Sequence, residues 1–117
     1  MTNANKITDP AEMAVHSQPM AGHPGPFIRD VLIPEYGLNV AKAARLLRVN
    51  RANFIDVLNG KYGVSRDLAY KLGALMRDEV CDLLIEWQHR HDLENEASKR
   101  EAFRQSIARI EVAHVAV

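Results

Sequence analysis

The sequence predicts an all-α protein built around a helix-turn-helix motif, and three observations support this. Apolar residues recur at helical spacing from Phe27 to Ile110. No run shows the alternation of a strand, and two helical segments are joined by only about three residues, a spacing typical of helix-turn-helix. The length of 117 residues suits one domain with a tail at each end. We therefore expect an all-α architecture of five or six short helices.

The first helix is predicted at about 26–33, after an aperiodic leader over residues 1–22. Phe27 and Val31 are spaced by four residues, as are Ile28 and Leu32. Pro34 is expected to end this helix, because the residue before a proline disfavours the helical region.

The helix-turn-helix follows at 40–58. Asn39 is expected to cap the first of its helices, 40–47, and Asn50 to cap the second, 51–58. Ala44 supplies the small side chain needed where the two helices approach each other. Gly60 is expected to close the second helix in the left-handed conformation.

Three helices complete the prediction. Ser65 is expected to cap the fourth, the fifth is predicted at about 79–91, and a terminal helix is predicted at about 95–111. The fifth carries more apolar surface than a domain of this size covers, so we expect part of it to form a homodimer interface. The residues of that predicted interface are Val80, Cys81, Leu84, Ile85 and Trp87.

The charge distribution indicates a polyanionic partner. The net charge is zero, but residues 39–66 carry +5, between flanks of −2 and −3. A solvated basic helix face would explain the block equally well. The face of the second motif helix that lies opposite its apolar stripe is expected to meet a DNA major groove. The side chains on that face are Arg51, Ala52, Asn53 and Asp56. The structural alternative is an ordinary helical hairpin in a bundle.

Three short stretches identify a family resemblance. His23-Pro24-Gly25 precedes the first helix, Tyr36-Gly37-Leu38 precedes the motif, and Asn59-Gly60-Lys61-Tyr62-Gly63-Val64 follows the second motif helix. Together they resemble the HigA-type antitoxins, within the phage-repressor-like helix-turn-helix superfamily. The resemblance covers about residues 23–92, which we take as the DNA-binding domain, with 93–117 as a helical extension or tail.

The resemblance implies a compact five-helix helix-turn-helix domain, here followed by a C-terminal helical extension. It also implies a homodimer that binds operator DNA and a RelE-like toxin partner. Carried over to this sequence, it makes Arg51 and Ala52 the first residues of the recognition helix and gives Lys42, Asn59 and Lys61 as phosphate contacts. Tyr62 is either a further phosphate contact or a packed ring. Arg48 stands where the family usually has glycine, so a conventional turn requires a positive φ there, at a cost of about 1 kcal/mol.

The function predicted from the sequence is a sequence-specific DNA-binding antitoxin that represses its own operon and neutralises a toxin by direct binding. One alternative is a repressor without a toxin. Another is a helix-turn-helix fold used only for protein contacts, which Val40, Arg48 and Asp56 favour.

Other function classes find little support in the sequence. There is no nucleophile triad, phosphate-binding glycine loop or paired-carboxylate cleft, so we expect no enzyme and no cofactor. Cys81 is the one cysteine, and His89 and His91 diverge on a helix, so we expect no metal site. With no long apolar run and no signal-peptide core, a cytoplasmic protein without a membrane span is expected.

Overall fold

A computed structural model describes residues 20–113, which form six helices and no strand. Helix α1 joins three stretches, Gly25–Phe27, a π-helical Ile28–Leu32, and Ile33–Glu35. The other helices are α2 (Val40–Leu47), α3 (Arg51–Leu58), α4 (Arg66–Leu75), α5 (Asp78–Asn95) and α6 (Ala97–Ser106). The all-α prediction is confirmed. Apart from residues 20–22, the predicted leader lies outside the described residues.

Helix α1 continues through Pro34, so the predicted end at 33 is wrong. The amide of Ile33 bonds the carbonyl of Ile28, five residues back, which widens the helix just before the proline. A wider turn accommodates a ring that lacks an N–H and would otherwise strike the carbonyl four residues back. The helix ends instead at Glu35, and the Gly37 amide bonds the Pro34 carbonyl at 2.9 Å. The φ of 69° at Gly37 then turns the chain so that the Leu38 amide bonds the Ile33 carbonyl at 3.0 Å.

The helix-turn-helix forms as its caps predict. The side chain of Asn39 accepts from the Lys42 amide at 2.8 Å, and that of Asn50 from the Asn53 amide at 2.9 Å. Between the two helices Arg48 adopts φ 58° and ψ 48°, which confirms the left-handed turn. In the described part of the chain it is the one non-glycine residue with a positive φ.

Because Arg48 holds this conformation, Arg48→Gly is expected to stabilise the fold by under about 1 kcal/mol. Relief of left-handed strain is partly offset by the greater freedom of glycine in the unfolded chain. Arg45→Gly, inside α2, is the matched control and should lose about 1 kcal/mol. Urea denaturation measures both, and a clear loss of stability in Arg48→Gly would contradict the strain argument.

Helix α5 buries its apolar stripe within its own chain. Val80, Leu84 and Trp87 are all buried in the core, so their assignment to a dimer interface is wrong. The Trp87 ring lies 5.1 Å from that of Phe27, and its Nε1–H donates to the Gly22 carbonyl at 2.9 Å. The segment before α1 thus covers the face that the sequence left open. Cys81 and Ile85 are only half-buried.

The C-terminal helix is shorter than predicted and packs no side chain into the core. Helix α5 runs to Asn95, and α6 ends at Ser106 rather than near 111. Phe103, Ile107 and Ile110 are 56%, 65% and 92% exposed. They do not fold back over α5, so this apolar surface is left uncovered by the residues between 20 and 113.

Candidate nucleic-acid interface

The recognition helix α3 separates a buried face from an exposed one. Phe54 and Leu58 are buried and fix the helix against the core. Arg51, Ala52 and Asn53, at its N-terminal end, are exposed, as a helix entering a major groove requires. The fourth predicted base contact, Asp56, is half-buried and lies one turn further along.

The basic block keeps its charge uncompensated. Within residues 20–113, the ion pairs seen engage Arg29, Arg77, Arg90, Lys99 and Arg104, all outside 39–66. The block's own cations are exposed and make no ion pair in that range: Lys42, Arg45, Arg48, Arg51, Lys61 and Arg66. Basic residues without carboxylate partners are available to neutralise phosphates.

The segment 59–64, which we call the exit loop, presents the remaining predicted phosphate contacts. Asn59 and Lys61 are exposed, and the Tyr62 ring is 54% exposed rather than packed. The Lys61 ammonium lies 5.5 Å from the centroid of that ring. Both side chains are therefore directed towards solvent beside the end of α3.

His23 fastens the exit loop to the start of α1. Its Nδ1 accepts the Gly25 amide at 2.8 Å, so Nε2 carries the proton and donates to the Tyr62 carbonyl at 2.9 Å. The two bonds together require the neutral imidazole. These two hydrogen bonds give the His-Pro-Gly motif a structural role. The motif was noted in the sequence, but its contact with the exit loop was not predicted.

Gly25 allows α1 to touch the end of the recognition helix. A Cβ atom built on it would lie 2.2 Å from the Val57 carbonyl oxygen and 2.9 Å from that of Leu58. Only a residue without a side chain fits at this distance. The glycine of the motif therefore sets the spacing between α1 and α3.

Helix α5 holds the other end of the exit loop. The side-chain oxygen of Gln88 accepts the Val64 amide at 2.8 Å, while its nitrogen donates to Asp92 at 2.9 Å. Gln88 also lies against Gly63, where an added Cβ would come within 3.0 Å. The periodicity of α5 gave no indication of this contact, because Gln88 is polar and its partner is distant in the chain.

Burial lowers the pKa of His23, against an opposing contribution from the Tyr62 bond, and the neighbouring His91 lowers it further. Because the folded-state pKa lies below the unfolded value of about 6.5, the unfolded chain takes up more protons as the pH falls through that value. Stability from this site is therefore complete above about pH 6.5 and is lost as the pH falls towards the folded-state pKa.

We accordingly expect the melting temperature to drop between about pH 7.5 and pH 5.5, and His23→Ala to flatten part of that dependence while lowering stability at neutral pH. His89→Ala, at an exposed histidine of α5, is the control for the loss of an imidazole at another position. Identical profiles for wild type and His23→Ala would show that this imidazole does not carry the effect.

These features define a helix-turn-helix protein. One face of the recognition helix is buried in the core, the residues predicted to contact DNA bases are exposed at its N-terminal end, and the surrounding basic residues make no ion pairs within residues 20–113. Solved structures with this fold include the Pseudomonas aeruginosa antitoxin HigA with the higBA promoter, with a TM-score of 0.64 and 26% identity, over 76% of this chain and 97% of that one. Another is the P. aeruginosa protein PA4674 in complex with its 28-bp operator DNA, with a TM-score of 0.63 and 26% identity, over 75% and 97%.

This chain is structurally related to the HigA-type antitoxins, which confirms the resemblance in its motifs. It is also 34% identical over 71 residues to virulence-associated protein A′ of Dichelobacter nodosus, a match spanning 61% of each chain. No family model matches the sequence. Within residues 20–113, no helix combines the length and the apolarity needed to cross a bilayer.

Proposed function

We propose that this protein is a sequence-specific DNA-binding antitoxin that represses its own operon and neutralises a RelE-like toxin by direct binding. The main support for DNA binding is the basic face around the exposed N-terminal end of α3, whose cations make no ion pair within residues 20–113. The solved relatives with this fold were determined with promoter or operator DNA, which supports the same assignment.

In the proposed complex, α3 lies in the major groove. Arg51 donates to guanine O6 and N7, Ala52 meets a thymine methyl group, and Asn53 reads an adjacent base. Asp56 accepts from a cytosine amino group, the one base contact that suits a carboxylate. Lys42, Asn59, Lys61 and Tyr62 hold the phosphates and set the register of the helix.

A homodimer supplies the second recognition helix, so that two half-sites about 34 Å apart are read together. Because the stripe of α5 is buried within one chain, we assign the larger share of the dimer contact to the apolar side chains exposed beyond it. These are Leu93, Phe103, Ile107, Ile110 and Val112, with the half-buried Cys81 and Ile85 of α5 at the margin.

Ile107→Glu is therefore expected to shift the protein from dimer to monomer in light scattering at tens of micromolar, because a charge would be buried in the contact. Ser98→Glu, on exposed α6, adds the same charge without removing apolar surface and should stay dimeric. A wild-type protein that is already monomeric at this concentration would contradict the dimer, and a dimeric Ile107→Glu would move the interface elsewhere.

The antitoxin assignment is tested by co-expression with the small open reading frame adjacent to the gene, if it encodes a basic RelE-like protein. The proposal predicts growth rescue and co-purification with the toxin. Arg51→Ala should retain rescue while derepressing a promoter–reporter fusion. If no neighbouring product is toxic and the promoter is still repressed, the protein is a repressor without a toxin.

A further inference from the structure

A three-residue bridge joins α1 to the end of the recognition helix. The Arg29 guanidinium donates two hydrogen bonds to the Asp30 carboxylate, from Nε at 2.8 Å and from Nη2 at 2.9 Å. Its remaining edge donates from Nη1 to the Oδ1 atom of Asn59 at 2.8 Å. Arg29 lies outside the basic block, so neither the charge count nor the family motifs point to it.

The bridge determines which way the Asn59 amide faces. Arginine has five N–H donors and no acceptor, so only the amide oxygen can face it. The Nδ2 group, with its two donors, is therefore directed away from Arg29. Within residues 20–113 no hydrogen bond engages Nδ2, and Asn59 is exposed as the first residue of the exit loop.

From this arrangement, and resting on the proposed DNA-binding function, we propose that Arg29 is a positioning residue: it orients Asn59 so that an N–H donor, not the carbonyl oxygen, meets a DNA phosphate. Asp30 has two effects in this account. Its two hydrogen bonds with Arg29 fix the plane of the guanidinium, and its negative charge offsets the positive charge of Arg29. The cation therefore holds Asn59 and does not itself neutralise a phosphate.

The test compares charge-matched variants for binding to a duplex that spans the region upstream of the protein's own coding sequence. Arg29→Gln with Asp30→Asn removes the bridge without changing net charge. We expect this double variant and Asn59→Ala each to bind about fivefold more weakly, the equivalent of one hydrogen bond. Their combination should add no further loss, and the salt slope should stay that of wild type, because no cation–phosphate contact has been removed.

An additional loss on combining the changes, or a salt slope lower by about one contact, would overturn the positioning role and make Arg29 a phosphate ligand. Asn59→Asp provides an independent check on orientation. A carboxylate still accepts from Arg29 but repels the phosphate, so it should bind more weakly than Asn59→Ala. Equal or tighter binding by Asn59→Asp would also overturn the proposal.

Asn95→Asp, at the end of α5, is the control for the change in charge and should bind as wild type does. Circular dichroism melts confirm that each variant is folded. If the folded wild-type protein does not bind the duplex at low salt, the proposed function itself fails. If wild type binds and the losses are additive, only the role of Arg29 fails.

Discussion

Replacing Gly25 by alanine should destabilise the protein by about 3 kcal/mol, the largest effect on stability that we expect from one methyl group here. The new Cβ would lie 2.2 Å from the Val57 carbonyl oxygen, and a backbone atom cannot move aside without shifting the end of α3. Helix propensity alone favours alanine at this position by about 1 kcal/mol, so the clash outweighs it. Urea denaturation gives both the sign and the size.

Gly37→Ala is the matched control for that experiment. Gly37 has a φ of 69° and nothing within 4 Å of an added Cβ, so only backbone strain opposes the change. We expect a loss of about 1 kcal/mol. Equal losses at the two glycines would show that α1 and α3 can separate without penalty, which would contradict the role assigned to the His-Pro-Gly motif.

Arg51→Ala should produce the largest single loss in DNA binding, about 1–3 kcal/mol, and should relax the preference at one base pair. Arg51 is exposed at the first position of α3 and has no ion pair within the described residues, so its guanidinium is available for a guanine. Binding measured against a panel of single-base operator variants reports both effects.

Two controls separate reading of bases from attraction of phosphates. Lys61→Ala should weaken binding to all sequences alike and flatten the salt slope. Arg90→Ala removes the same charge from α5, where Arg90 pairs with Glu86, and should change little. Equal, sequence-independent losses from Arg51→Ala and Lys61→Ala would reduce Arg51 to a phosphate contact.

The parts of the fold that were predictable depend on short stretches of sequence. The caps of Asn39, Asn50 and Ser65 form because an oxygen at that position satisfies an amide two or three residues ahead. The left-handed turn at Arg48 was expected because the resembling family usually has glycine at that position. The division of α3 into buried and exposed faces follows from its apolar spacing alone.

The parts that were missed depend on contacts between distant segments. Sequence periodicity showed that Trp87 lies on an apolar stripe but not that Gly22 and Phe27 would cover it. The passage of α1 through Pro34 depends on a local π-turn that no propensity encodes. The hydrogen bonds that hold the exit loop join residues separated by 24 and by 39 positions in the sequence. The sequence neighbours of Gln88 and His23 therefore could not show that these two residues contact the loop.

The most direct test of the central claim is an electrophoretic mobility shift with the region upstream of the protein's own gene, titrated across salt concentrations. We predict a shift at low salt, an affinity that falls linearly with the logarithm of salt concentration, and protection of two half-sites about one helical turn apart. The absence of any shift at low salt with folded protein would contradict DNA binding at this operator and favour a helix-turn-helix used only for protein contacts.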